Sequence, residues 1–407
     1  MIRHRPKALV VMLAALTLPL LPSVTNAGTM IPEAATDVAA SAVVRQADSE
    51  LQTPLYSVVD KTQLPASGDA HDYFSFAPYW WPDPDRVDGL PYERRDGEYN
   101  EATLGDATDK QRMIDFIDTV NVLSWSYHLT GDERYARRAV AQLRHWFIAA
   151  ETRMAPNLRY AQAIPGRVEG RGIGIIESRL LIGLSDSIRL LAPAQAMTDE
   201  TLAGLKQWYS DYLDWMLESE HGRDEQAKRN NHGTWYDAQV VAFARFVGRP
   251  ALAERRLQDA LPRLDTQFEP DGRQPLELKR TRPWHYVNFN LEAWSTLLHE
   301  SSELGLNWPE DEADRARLAA AYRWVADHAS QPEDWPYEEL HGFHPAIALP
   351  NLVTAARHRL LKDDSGVRSL IDRWARNRDR DPALAAPALL ALDETCLLYT
   401  SPSPRDS

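Results

Sequence analysis

The sequence predicts an all-α fold, arranged as an α/α toroid. Three observations carry that prediction. From about residue 107 onward, apolar residues recur at three- and four-residue spacing in one segment after another. The turns between those segments are short, so consecutive helices are expected to run antiparallel. Few segments alternate as strands do, and no fixed-length repeat recurs, which disfavours an α-solenoid. The abundant tryptophans suit a large helical core.

Residues 1–27 read as a secretory signal peptide. Arg3, Arg5 and Lys7 precede the apolar run ALVVMLAALTLPLL, and the small residues of SVTNAG allow cleavage after Ala27. Pro19 and Pro22 interrupt the run, and no later stretch is apolar for long enough to cross a bilayer. A periplasmic or secreted protein is expected, with no membrane contact after signal cleavage. Residues 28–70 form a mixed lead-in. The main domain is expected over 71–395 and opens with a segment of a different kind. HDYFSFAPYWWPDPDRVDGLPYERRDGEYN fills most of 71–105, is rich in Pro, Gly, Asp and aromatics, and has no helical period. It reads as a long ordered loop, a kind of segment that usually carries function.

Helices are expected at 120–129, 133–150 and 202–217, then after RNNHGTWYDAQ (229–239), where Tyr236, Val240, Phe243 and Val247 share a stripe. Gly248 and Pro250 end that helix. One helix is expected over roughly 251–263, and Pro283 opens another running to about 304. Others follow near 314–329, 345–361 and 366–377. CLLYTSPSPRD, within 396–407, resembles the translation of a sequencing-library adapter, so a non-native tail is expected after Thr395. The only cysteine, Cys396, lies in it, and one cysteine makes no internal disulfide.

The formal charge is −14, and loss of the three signal-peptide cations makes it −17. That excludes a generic polyanion-binding surface and argues against nucleic acid. An acidic protein of this kind binds an acidic polymer only in a locally basic cleft.

Two segments could build one. In RNNHGTW, Asn230 suits the N-cap of the following helix, which leaves Asn231 and His232 without a structural task. LELKRTRPWHYVNFN (276–290) gathers Lys279, Arg280, Arg282, His285 and Tyr286 at a helix start; taken alone, it would pass for a solvated charged loop. With one helix between them, the helices after Asn231 and after Pro283 should run parallel. Their N-termini then share one end of the bundle, an end that favours anions.

This set suits removal of the C5 proton of a uronic acid. The neighbouring carboxylate must first be neutralised by Asn, His or Arg donors so that the enolate is stabilised. A base near C5 and an acid near O4 complete the reaction. In mannuronate and glucuronate the C5 hydrogen and the C4–O bond share a face, so one tyrosine can serve both roles if a nearby Arg or His lowers its pKa. The reaction requires no metal or other cofactor.

NNHGTW followed by ELKRTRPWHY resembles the alginate lyase family, whose members carry an Asn-Asn-His motif and a later Lys-Arg…Tyr motif. APYWWPDPDRVDGLPYERRDGE looks like the branch that includes polymannuronate and glucuronan lyases. The resemblance spans roughly 70–350 and implies an incomplete α/α toroid with its cleft at one end, acting on an anionic polysaccharide by β-elimination. Carried over by position, it implies that Asn231 and His232 neutralise the carboxylate, Arg280 assists, and Tyr286 is base and acid. The alginate-specific enzymes have one more residue between that Arg and Tyr, which leaves alginate itself open.

Trp80 and Trp81 are candidates for stacking on sugar rings, and Arg94, Arg95 and Arg171 for contacting carboxylates, beside Lys279, Arg282 and His285. AIPGRVEGRGIGIIESR (163–179) lacks a preceding strand and is not a dinucleotide loop; its Glu177 and Arg179 read as structural or solvated. A glycoside hydrolase would need two paired carboxylates, for which Asp237, Glu277, Glu292 and Asp83 are the nominees. A polysaccharide-binding scaffold would need the basic cleft and no Tyr286.

Overall fold

The computed structural model describes residues 33–361 and Ser369. The signal segment, the 396–407 tail and, apart from Ser369, the expected helix at 366–377 lie outside the described residues. The lead-in holds a helix, α1 (Glu33–Glu50), which buries Ala42, Val43 and Ala47. The 71–105 segment carries β1 (Phe74–Phe76), β2 (Trp80–Trp81) and β3 (Glu93–Arg94). After α2 (Lys110–Thr130) and α3 (Glu133–Phe147) comes β4 (Tyr160–Ala163). A 3-10 stretch, Gly172–Arg179, leads into α4 (Leu180–Leu191), α5 (Asp199–Glu218) and α6 (Glu220–Gln226). The rest is α7 (Asn231–Phe246), α8 (Pro250–Ala260), α9 (Pro262–Gln267), α10 (Pro275–Leu278), α11 (Pro283–Glu303), α12 (Glu312–Ser330) and α13 (Leu349–Arg357).

Helix limits follow local chemistry. Side chains of Asp132, Thr198, Ser219 and Asp311 accept backbone N–H bonds at the starts of α3, α5, α6 and α12. Gly131, at φ 69°, ends α2. The expected helix over 251–263 is broken at Leu261–Pro262, and α4 and α6, which the periodicity did not separate from their surroundings, add to the series.

The helices pack as an incomplete α/α toroid. α2, α4, α7, α11 and α13 neighbour one another in sequence along an inner arc, with α3, α5, α8 and α12 packed outside. Fourteen of the sixteen residues of α7 are buried, which replaces the single apolar stripe expected there. A helix apolar nearly all round belongs inside. Its polar groups are satisfied internally: Thr234 and Asn290 bond each other and Gln267.

α7 and α11 run parallel, as predicted, although α8, α9 and α10 all lie between them. Asn231 meets Glu277 just before α11, Thr234 meets Asn290, and Arg245 meets Glu300. The loop is tied to this frame at two places. β1 pairs in parallel with β4, whereas the antiparallel β2–β3 pair is internal to the loop. At Gly97, φ is 79°, and a Cβ would stand 2.2 Å from Thr281 Oγ1, so only glycine lets the loop close on the segment before α11.

Candidate active site

The segment before α11 and its first turn meet the 71–105 loop through Arg280 and Tyr286, and the start of α7 is joined to the same segment through Asn231 and Glu277. The details change the expected roles. Asn230 occupies the N-cap position of α7 but its side chain makes no capping bond. The cap comes instead from Glu277, whose Oε1 accepts from Asn231 N at 2.8 Å and whose Oε2 accepts from Asn231 Nδ2 at 2.7 Å. Asn231 is buried. At α11, Glu339 Oε1 accepts from Trp284 N at 2.6 Å. Both helix N-termini offered to a substrate anion therefore already hold a carboxylate of the chain itself, a correction to the expectation. Glu277 is stabilised there, although burial still pushes its pKa up.

His232 is placed differently. Its Nδ1 lies 2.7 Å from Glu225 Oε1, and its side chain is 20% exposed. Glu225 is fully buried, so it fixes the ring and leaves Nε2 for a ligand.

Tyr286 sits one turn into α11. Its hydroxyl accepts a hydrogen bond from Arg280 Nη2 at 2.7 Å and lies 2.8 Å from the hydroxyl of Tyr79. The Arg280 guanidinium also covers the Tyr286 ring at 3.7 Å from its centroid. Asp96 fixes Arg280 through two bonds, at 2.9 and 3.2 Å, and accepts from Arg94 at 2.6 Å. Tyr79 and Asp96 both come from the loop, so the loop completes the constellation. The expected lowering of the Tyr286 pKa is not what the resting site produces. Burial pushes it well up, Tyr79 adds to the rise, and Arg280 offsets only part. His285 gives no cationic help: burial, with Arg282, Arg179 and Arg280 around it, pushes its pKa down to about 3. It is a neutral ring, stacked on Phe289 and edge-on to Tyr286.

The other predicted contacts are spread over the rim. Trp80 and Trp81 are half-buried in the β2–β3 hairpin, and each already stacks with an arginine: Arg167 lies 5.2 Å from the Trp80 ring and Arg95 5.4 Å from that of Trp81. Arg94 is exposed and paired with Asp96. Arg171 bonds the backbone and side-chain oxygens of Gln162, and burial pulls its pKa down to about 10. Lys279 is exposed and Arg282 half-buried.

Of the hydrolase nominees, Asp237 is buried and bonded to Arg263, with Arg256 at 3.4 Å, and Glu277 holds Asn231. Asp83 pairs with Arg86 in an exposed turn. These carboxylates serve structure. Glu177 does too, accepting from Tyr73 and Ser75 and pairing with Lys110. The motifs pointed to Asn231, His232, Arg280 and Tyr286. They gave no sign of Tyr79, Asp96 or Glu225, which orient them; the aromatic loop was the one available signal for the first two. Among the described residues, Asp186, His299 and Glu300 offer metal-ligand atoms within 4.8 Å of one another, but Arg245 bonds both carboxylates.

The family model described as alginate lyase matches residues 57–335. The crystal structure of an alginate lyase from Bacteroides ovatus is similar to this chain, with a TM-score of 0.80 and 32% identity, covering 90% of this chain and 98% of that one. Two structures of alginate lyase A1-III complexed with tetrasaccharide, one a histidine variant and one a tyrosine variant, are more distant. Each has a TM-score of 0.47, at 14% and 13% identity, over 79% of this chain and 88% of theirs. No curated protein matches.

Proposed function

The chain belongs to the alginate lyase family of polysaccharide lyases, and from that premise we propose that it cleaves a polyuronate by β-elimination across the 4-O-glycosidic bond. The substrate is a polymer of mannuronate, as in alginate, or of glucuronate, and the product carries a 4,5-unsaturated uronate end. The observation that carries this reading is the hydroxyl of Tyr286, held between Arg280 Nη2 at 2.7 Å and Tyr79 at 2.8 Å.

In this mechanism Tyr286 enters as the phenolate, takes the C5 proton, and as the resulting phenol gives it to O4 as the C4–O bond breaks, which regenerates the phenolate; this same-face transfer suits mannuronate and glucuronate. Arg280 donates to the Tyr286 oxygen and so stabilises the phenolate form that acts as base. His232, oriented by Glu225, meets the substrate carboxylate through Nε2 and lowers the cost of the enolate. Asn231 acts mainly by anchoring the turn before His232. The N-terminal 27 residues, read as an export signal, would place this reaction in the periplasm or outside the cell.

A second division of labour is favoured by the strongly held Tyr286 proton. A neutral His232 with Nδ1–H on Glu225 has its Nε2 lone pair free, so it could take the C5 proton while Tyr286 serves as acid. That arrangement suits a sugar whose C5 hydrogen faces away from O4, as in guluronate. Ultraviolet absorbance with polymannuronate, polyguluronate and glucuronan in parallel tests the proposal. A rise with mannuronate or glucuronate polymer supports the first mechanism, and a rise with polyguluronate alone supports the second. New reducing ends without absorbance would replace elimination by hydrolysis.

A further inference from the structure

We infer that Arg179 is a further binding residue of this cleft, with a guanidinium that receives a carboxylate of the polyuronate chain. The inference rests on the polyuronate reading above. Arg179 ends the 3-10 stretch before α4, and its guanidinium lies 5.1 Å from the ring centroid of Phe289 and 5.9 Å from that of Trp235. Phe289 follows His285 by four residues, and Trp235 follows Asn231 by four. Arg179 therefore stands about one turn, roughly 6 Å, into the two helices that carry the reacting groups. His285 links the two levels: it lies parallel to Phe289, 5.8 Å between centroids, and edge-on to Tyr286 at 5.1 Å.

What sets Arg179 apart is how little of it the protein uses. Its Nη1 donates to Ile176 O at 3.2 Å, its Nε is buried without a partner, and among the described residues no carboxylate lies within ion-pair distance. The acids that act on it through space are Glu292 and Glu177, and Glu177 is already bound by Tyr73, Ser75 and Lys110. Arg245, Arg263 and Arg280, by contrast, all hold carboxylates. Withdrawing a cation from water without a counter-charge in contact is costly, and distant acids and two aromatic faces offset only part of that cost. The residue is half-buried, so part of it meets solvent. A polyuronate brings one carboxylate per sugar, and the helix N-termini beside it are occupied by Glu277 and Glu339. A planar, five-donor guanidinium backed by aromatic rings is well suited to hold a carboxylate.

The test uses the full chain carrying Tyr286→Phe, so that oligosaccharide is bound rather than turned over. Calorimetry compares saturated tetramannuronate and tetraglucuronate with their methyl esters, before and after adding Arg179→Gln. The expected result is a loss of about tenfold to a hundredfold in affinity for the free acids, the range of a charged hydrogen bond, with the esters changed by no more than about twofold. Arg179→Lys keeps the charge but loses the fork, and should show a smaller loss with the same acid-over-ester bias; it stands in if the Gln variant fails to fold. Equal losses on acid and ester, or no loss on either, overturn the inference. Wild-type absorbance on the parent polymers separates the two readings. Unsaturated ends with no acid-specific effect at Arg179 remove this inference alone, whereas no unsaturated ends and no binding of either oligomer remove the polyuronate reading with it.

Discussion

The inner helices α7 and α11 finish in opposite ways at their two ends. At the C-terminal end, Arg245 bonds Glu300 and Asp186 and lies 3.7 Å from Glu303, while Arg189 pairs with Asp186 and Glu303. Asp186 and Glu300 are buried, and every arginine in that cluster has a carboxylate. At the N-terminal end, Arg280 divides itself between Asp96 and the Tyr286 hydroxyl, His232 presents a free edge, and Arg179 has no carboxylate in ion-pair contact among the described residues. One pair of helices thus supports a compensated end and an uncompensated one. A closed charge network holds the toroid together. An open one leaves the Arg179 guanidinium and the outer edge of His232 to a substrate, although Glu277, Glu339, Glu225 and Asp96 hold the groups around them.

If that contrast is right, the largest effect on rate should come from the open end. Tyr286→Phe should lower kcat by about 10²–10⁴-fold, the span of one positioned acid–base group, while the melting temperature stays near that of wild type. The second effect is one of pH. Because burial holds the Tyr286 proton tightly, the phenolate is scarce at neutral pH. If it is the base, kcat/KM should climb by about tenfold per pH unit on the alkaline side until the phenol ionises. A profile that instead levels off once an imidazole is neutral would assign the proton to His232.

Smaller again is Glu225→Gln. It keeps the shape of a fully buried side chain but removes the charge that orients His232. A loss of about tenfold in kcat/KM is expected, in the range of a charged hydrogen bond, and steady-state kinetics with folding checked by circular dichroism would read it.

The smallest effect belongs to the closed end. Burial, with Glu300 beside it, pushes the Asp186 carboxyl up to about 7 against the pull of Arg245. The folded chain then keeps a proton that the unfolded chain releases above about pH 4, so this group's contribution to stability falls as pH rises from about 4 to about 7. Relative to Asp186→Asn, wild type should lose melting temperature steadily across that window, read from thermal unfolding curves at stepped pH. A difference that stays flat or grows with pH would contradict the assignment.

How much of this was legible beforehand depends on the range of each contact. The helices were readable because their signal is local: three- and four-residue spacing, Gly248 and Pro250 after α7, Pro283 at the start of α11. So was the parallel run of α7 and α11, from short connections alone. Asn231, His232, Arg280 and Tyr286 stood out because their motifs are contiguous. The residues that orient them did not. Tyr79 lies 207 residues from Tyr286, and Asp96 lies 184 from Arg280. The cap of α7 was misassigned to Asn230 because nothing local reveals that Glu277, 46 residues on from Asn231, reaches it first. Arg179 read as structural because a missing counter-ion leaves no trace in a one-dimensional pattern. The Tyr286 pKa was expected in the wrong direction because neighbours can be guessed from a motif, whereas desolvation depends on the whole packed end of the toroid.

The most direct test of the contrast is a crossed pair, Arg280→Met and Arg245→Met, each measured for kcat and for unfolding free energy. Arg280→Met should lower kcat by about tenfold or more, as loss of a charged donor does, with stability little changed. Arg245→Met strands buried Asp186 and Glu300, so it should cost about 3–5 kcal/mol of stability while leaving kcat of the folded fraction close to wild type. Equal losses of stability in the two variants, or an Arg280→Met enzyme that still eliminates at the wild-type rate, would contradict the account.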